Sequence, residues 1–213
     1  MNKIKNIIFD LGGVILNLDY AKTVDEFKKI GLLNFQDLYS QKMQNILFDD
    51  FEKGEVSSAE FISSLIDSEN LKIKEIDFIN AWNAMLLEIP VKKLEFIDAL
   101  KKDYNVFLLS NTNEIHISKF EDDLKKNNML NQFYKCFDKV YYSSRMGKRK
   151  PDENCFKQVL EENQLVPQQT LFIDDSIQHI KGAKSIGIET FHLEKNKSII
   201  DLVPDIIQSK LHQ

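Results

Sequence analysis

The feature that most constrains this chain is a set of short, wholly apolar runs that each stop at a polar residue. Ile7-Ile8-Phe9 ends at Asp10, Val106-Phe107-Leu108-Leu109 at Ser110, Val140-Tyr141-Tyr142 at Ser143, and Leu171-Phe172-Ile173 at Asp174. A last short run lies near Thr190-Phe191. Such runs lack the alternation of a half-exposed strand and fit strands buried on both faces. Helical patterns separate them. Residues 91–102 place Leu94, Ile97 and Leu100 on one face, with Pro90 suited to the first turn. A second helix is predicted from Asn111 to about Lys126, and a third opens at Pro151 with Asp152 and Glu153 in its first turn. A fourth covers 176–186, with Ile177, Ile180 and Ala183 turned inward. Strands alternating with helices predict an α/β fold, a parallel sheet with helices on both faces.

Residues 18–88 break this rhythm. They hold no convincing strand, and Phe51, Ala59, Phe61, Ile62, Leu65 and Ile66 recur with helical spacing around Gly54. About seventy residues is too long for a plain loop, so an inserted α-helical domain is expected there. Lys3 and Lys5 before an apolar run imitate a signal peptide, but Asp10 interrupts the run and no small-residue cleavage site follows. No stretch approaches the roughly 18 apolar residues of a membrane span. A net charge of -5 gives no basic footprint for nucleic acid. Cys136 and Cys155 are too few and too isolated for a disulfide framework or a thiolate metal site. The expectation is a cytoplasmic protein, monomer or weak homodimer, acting on a small molecule, with neither nucleic acid nor membrane as partner.

In parallel α/β sheets, ligands bind beyond the carboxyl ends of the strands. Asp10, Ser110 and the pair Asp174-Asp175 lie there, with Lys150 in the loop after the third strand. Each has a structural explanation. Asp10 before Gly12-Gly13 is turn chemistry. Asn111 followed by Glu114 has capping-box spacing, and Asp175 or Ser176 can cap the next helix. Lys148-Arg149-Lys150 reads as a solvated basic turn. Yet a helix beginning at Pro151 puts Lys150 beside its N-terminus, where positive charge is disfavoured unless anions are near.

The set says more than its members. Adjacent carboxylates at the end of a buried strand repel, and a cation shared with Asp10 relieves that repulsion. Mg2+, with its oxygen ligands, also lets a phosphate dianion approach three carboxylates. Phosphate oxygens would be held by Lys150, by Ser110 with its neighbour Asn111, and by N–H groups of the Gly12-Gly13 turn. Asp10 would attack phosphorus to give an aspartyl-phosphate that water hydrolyses.

The order and spacing of these residues resemble the haloacid dehalogenase superfamily. Phe9-Asp10-Leu11-Gly12-Gly13-Val14 resembles its first motif, Leu109-Ser110-Asn111-Thr112 its second, Gly147-Lys148-Arg149-Lys150-Pro151 its third and Phe172-Ile173-Asp174-Asp175-Ser176 its fourth. A response-regulator receiver places its acidic pair before the phosphorylated aspartate; here the pair comes last. The resemblance implies a Rossmann-like core of residues 1–17 and 89–213 and a helical cap of 18–88 that closes over the site and selects substrate. It implies Mg2+ held by the Asp10 carboxylate, the Gly12 carbonyl and Asp175, with Asp174 contributing directly or through water. Asp10 would be the nucleophile and Lys150 its catalytic partner. Specificity would come from cap residues around 16–20 and 48–54.

The chain departs from the family at Gly12, where most family phosphatases carry an aspartate that serves as acid and base. Losing such a group costs about 10²–10⁴-fold in rate. The Asp-Leu-Gly-x-Val pattern resembles a subgroup of bacterial sugar-phosphate phosphatases that includes α-D-glucose-1-phosphate phosphatase, so a sugar phosphate is the favoured substrate. Asp19, Asn113 and His116 are the candidates nearby in sequence for the missing group, with His116 read as a helix-surface residue. His179 stands where the family often has Asp or Asn, a position that supports the metal or the lysine. Competing readings are a catalytically silent ligand-binding or regulatory protein on the same scaffold, and a hydrolase of C–halogen or C–P bonds.

Overall fold

A computed structural model describes residues 3–38, 46–195 and 197–203. The strands β1 (Asn6–Phe9), β2 (Asn105–Ser110), β3 (Lys139–Tyr142), β4 (Thr170–Asp174) and β5 (Glu189–His192) form one sheet in the order β3-β2-β1-β4-β5. All four pairings are parallel. This is a Rossmann-like α/β core. Phe9 pairs with Leu108 on one side and Ile173 on the other. That register sets Asp10 level with Asp174 and brings Ser110 out beside them.

The described helices are α1 (Tyr20–Lys29), α2 (Phe35–Leu38), α3 (Ile46–Glu52), α4 (Ser58–Ser68), α5 (Glu75–Asn83), α6 (Val91–Leu100), α7 (Glu114–Lys126), α8 (Leu130–Lys135), α9 (Ser143–Met146), α10 (Glu153–Glu162) and α11 (Ile177–Ser185). Strand side chains divide by the pleat. Ile7, Phe9, Val106, Leu108, Leu171 and Ile173 enter one core layer with Leu94 and Ile97 of α6 and Phe120 and Leu124 of α7. Ile8, Phe107, Leu109 and Phe172 enter the opposite layer with Cys155, Phe156 and Val159 of α10 and Ile180 and Ala183 of α11. Both faces are covered, which is why the strands are apolar without alternation.

Helices α1 to α5 contribute to a third apolar cluster, built on Trp82 with Phe27, Phe35, Phe48, Phe51, Phe61 and Phe78 and joined by Ile115 of α7. Each fully buried side chain of this size stabilises by roughly 1.5–3 kcal/mol. The two passages between this bundle and the sheet run side by side. Asn17 N–H donates to Glu88 O at 3.1 Å, Leu87 N–H to Asn17 O at 3.0 Å and Asp19 N–H to Met85 O at 2.9 Å. The Lys93 ammonium pins the first passage through the carbonyls of Val14 and Ile15, at 2.8 and 3.2 Å.

Several local expectations are corrected. The helix after β2 is capped by Asn113, whose side chain accepts from His116 N–H at 3.0 Å, so the Asn111–Glu114 spacing is not used. The helix after Pro151 begins at Glu153 with Asp152 at its N-cap. Ile177 is half exposed and Ala59 exposed, because each lies at a helix start, before the apolar stripe turns inward. None of the described helices is long and apolar enough to cross a membrane.

Candidate active site

The residues singled out at the strand ends converge on Lys150. Its ammonium group is wholly buried, 2.8 Å from Asp10 Oδ1, 2.7 Å from Asp174 Oδ2 and 2.9 Å from the Leu109 carbonyl. Helix α10 starts beyond it, so these carboxylates, rather than a helix terminus, are the charged partners of Lys150. Asn111 fixes the loop: its Oδ1 accepts from Lys150 N–H at 2.9 Å and its Nδ2 donates to the Lys150 carbonyl at 2.8 Å. The Asn111 side chain is therefore engaged in holding the lysine.

Asp174 is also fully held. Its Oδ1 accepts from Ser176 N–H at 2.7 Å, and His179 Nδ1 lies 3.0 Å from both carboxylate oxygens. Burial raises the Asp174 pKa, but the Lys150 charge and the His179 bond outweigh it and hold the carboxyl below its ordinary value. Burial alone would lower the Lys150 pKa; Asp10 and Asp174 raise it. Asp10 and Asp175 behave oppositely. Burial, with the charges of Asp174 and Asp175, pushes Asp10 up to about 8 in spite of Lys150. Desolvation and the neighbouring Asp174 push Asp175 up to about 6.

The donor groups of the turn sort differently from the sequence expectation. Gly13 N–H donates to the Leu16 carbonyl at 2.9 Å as the turn closes on itself, so it is not available to an anion. The N–H groups of Leu11, Gly12 and Asn111 find no acceptor among the described residues. These groups follow β1 and β2 at their carboxyl ends, next to Lys150 and the buried Ser110, whose hydroxyl, among the described residues, makes only a long 3.4 Å bond to the Asn111 carbonyl. Leu11 carried no signal of its own; an apolar residue donates through its backbone whatever its side chain.

The donor set suits a hard divalent cation. Ligand atoms of Asp10, Asp174 and His179 lie within 4.8 Å of one another. Asp174 and His179 already satisfy each other, however, while Asp10 and Asp175 are carboxyls whose charge is disfavoured as they stand. The Gly12 carbonyl accepts no hydrogen bond among the described residues. Oxygen ligands with unrelieved negative charge are what Mg2+ binds.

Each of the three candidates for the group missing at Gly12 has a structural role. The Asp19 carboxylate caps α1, accepting from Ala21 N–H at 3.1 Å. Asn113 caps α7. His116 is not a surface residue: it is buried, stacked on Trp82 with ring centroids 5.0 Å apart, and 3.2 Å from the Trp82 carbonyl. Burial lowers its pKa from 6.5 to about 4. A folded-state pKa below the unfolded value means the unfolded chain binds the extra proton, so stability falls as pH drops from about 6.5 toward 4. Between pH 7 and pH 4.5 the wild type is expected to lose about 2–3 kcal/mol that His116→Gln does not lose. Urea unfolding of both proteins at the two pH values checks this; equal losses would contradict it.

Residues 4–187 match the family described as haloacid dehalogenase-like hydrolase. The chain belongs to that family. It is a hydrolase of the haloacid dehalogenase superfamily, 35% identical over 196 residues to D-ribitol-5-phosphate phosphatase of Bacteroides thetaiotaomicron, covering 90% of this chain and 92% of that protein. A family enzyme from the same organism, solved as an aspartate-to-alanine mutant with magnesium and inorganic phosphate, superposes with a TM-score of 0.86 at 33% identity, covering 94% of this chain and 98% of that one. A predicted HAD-like hydrolase from Porphyromonas gingivalis gives a TM-score of 0.86 at 32% identity, covering 97% and 99%.

Proposed function

We propose that this protein is a Mg2+-dependent phosphatase that cleaves a small polyhydroxylated phosphate monoester, a sugar or polyol phosphate, through an aspartyl-phosphate on Asp10. The observation that carries this reading is Lys150, buried between Asp10 and Asp174 at the carboxyl end of the sheet. The phosphatase relative and the magnesium- and phosphate-bound family structure support it.

In this reading Lys150 and the Ser110 hydroxyl hold phosphoryl oxygens, and the N–H groups of Leu11, Gly12 and Asn111 complete the cradle. The Asp10 carboxylate attacks phosphorus, the ester oxygen departs with its electron pair and takes a proton from water, and water later attacks the acyl phosphate, releasing inorganic phosphate and freeing Asp10. Asp10, Asp175 and the Gly12 carbonyl would hold Mg2+, with Asp174 orienting Lys150. Bound there, the ion neutralises the carboxylates against the incoming dianion and stabilises charge on a phosphoryl oxygen. Residues 18–88 act as the cap, excluding water and contributing the surface that selects substrate.

Phosphate release should be measured for wild type and Asp10→Asn, with Mg2+ and with EDTA, over a panel of sugar, polyol and nucleoside phosphates. The expected result is turnover of a polyol or sugar phosphate that requires the metal and falls at least about 10³-fold in Asp10→Asn. Turnover that survives in the mutant would reject Asp10 as nucleophile. Absence of release from the whole panel would favour the silent binding protein.

A further inference from the structure

Arg149 ties the helical bundle to the loop that carries Lys150. Its Nη1 donates to Asp49 Oδ1 at 2.6 Å and its Nε to Glu52 Oε2 at 2.9 Å, while Nη2 lies 2.8 Å from that same Glu52 oxygen. Both bonds to Glu52 land on Oε2; Oε1 has no partner among the described residues. The side chain of Glu52 keeps 16% of its surface exposed, and burial raises its pKa against the pull of Arg149.

The orientation of Glu52 is fixed from two directions. Beyond the Arg149 bonds, Gly54 lies so close to the Ser144 carbonyl that a β-carbon would overlap it, which holds the end of α3 against α9. Glu52 lies within electrostatic range of Lys150. Tyr20, at the start of α1 and 44% exposed, lies within range of Glu52 and of Asp10, Asp174 and Asp175. Glu52 and Tyr20 thus lie on the bundle side, within electrostatic range of the cluster around Lys150 and Asp10. With both carboxylates ionised, the Asp49–Glu52–Arg149 trio carries one net negative charge.

We propose that Glu52, oriented by Arg149, is a specificity residue: it accepts a hydrogen bond from a substrate hydroxyl and repels phosphate esters that carry a second anionic group. The inference rests on the phosphatase reading and narrows it to neutral, polyhydroxylated monoesters. Tyr20 supplies a neutral hydroxyl beside it, able to donate to or accept from the same carbon chain. A carboxylate with one oxygen open near the bound carbon chain penalises an aldonate phosphate or a bisphosphate more than a polyol phosphate. Arg149 acts only through Glu52 and is a positioning residue.

The test is a matched pair of substrates, a pentitol monophosphate and the aldonate phosphate of the same chain length, assayed with the Mg2+-loaded enzyme. Wild type is expected to favour the neutral ester roughly 10- to 100-fold in kcat/KM. Glu52→Gln keeps the shape and removes the charge; it should shrink that preference about tenfold, mainly through a lower KM for the aldonate ester. Glu52→Asp keeps the charge and should keep the preference. An unchanged ratio in Glu52→Gln, with both esters turned over, overturns the role of Glu52 and leaves the phosphatase reading standing. Release from neither ester by wild type, nor from the wider panel, overturns the phosphatase reading and this inference with it. Should Glu52→Gln fail to fold, the wild-type charge series decides: indifference to the second charge overturns the proposal.

Discussion

Replacing Lys150 with methionine is expected to abolish measurable phosphate release and to lower the unfolding free energy at pH 7.5 by about 3–5 kcal/mol. Methionine fills most of the stem volume, so the loss is one of charge. Without the ammonium group, Asp10 and Asp174 face each other in the interior with no cation between them. Removing one partner of a buried ion pair costs more than the pair contributes, because the remaining charge stays desolvated. The effect carries a pH signature. Burial and the neighbouring carboxylates already raise Asp10 to about 8 with Lys150 present. A carboxyl whose folded-state pKa lies above its unfolded value stabilises the fold while protonated and loses that contribution as pH rises. In Lys150→Met the carboxyls shift further upward, so the stability deficit should shrink between pH 7.5 and pH 5. Urea unfolding of wild type and mutant at both pH values measures it. A mutant as stable as wild type at pH 7.5 would mean that the buried carboxylates are neutral or otherwise paired, and that Lys150 is not the hub of the site.

The strand ends were legible because an apolar run that stops at Asp10, Ser110 or Asp174 carries both its burial and its exit point in the sequence. The lysine and its carboxylate neighbours were legible, but the partners of the arginine before it were not. Arg149, read as part of a solvated basic turn, is buried between Asp49 and Glu52, about one hundred residues upstream in the chain. No local pattern encodes a pairing over that distance. His116 was misread for the same reason: a histidine in the first turn of a helix is usually solvated, and its burial depends on Trp82, in α5. Gly13 was read as a donor to phosphate, but its N–H is taken up inside the turn. Glycines signal a tight turn, but which N–H points outward depends on how the turn closes, and Gly13 closes it by bonding to Leu16. Residues 16–20 and 48–54 were expected to bear on specificity. Tyr20 and Glu52 lie in those segments, within electrostatic range of the carboxylates and of Lys150 respectively.

Gly13 carries the second large effect, and it separates what a glycine contributes as a donor from what it contributes as absent volume. Its φ of 73° lies in the left-handed region, and a β-carbon there would overlap the Asp175 carboxylate. Gly13→Ala is therefore expected to cost about 1–2 kcal/mol in backbone strain. It should also displace Asp175, and displacing a group at a reacting centre by about 1 Å can cost roughly 10²-fold in rate. If Asp175 is a metal ligand, as proposed, the displacement has a second readout: the Mg2+ concentration for half-maximal activity should rise about 10-fold or more, in line with losses seen when the support of a metal site is disturbed. Gly12→Ala is the internal control for volume, since its β-carbon meets only the end of the Leu18 side chain, which can turn aside. A Gly13→Ala protein with wild-type metal dependence and turnover would remove Asp175 from the site and leave the cation to Asp10, Asp174 and His179.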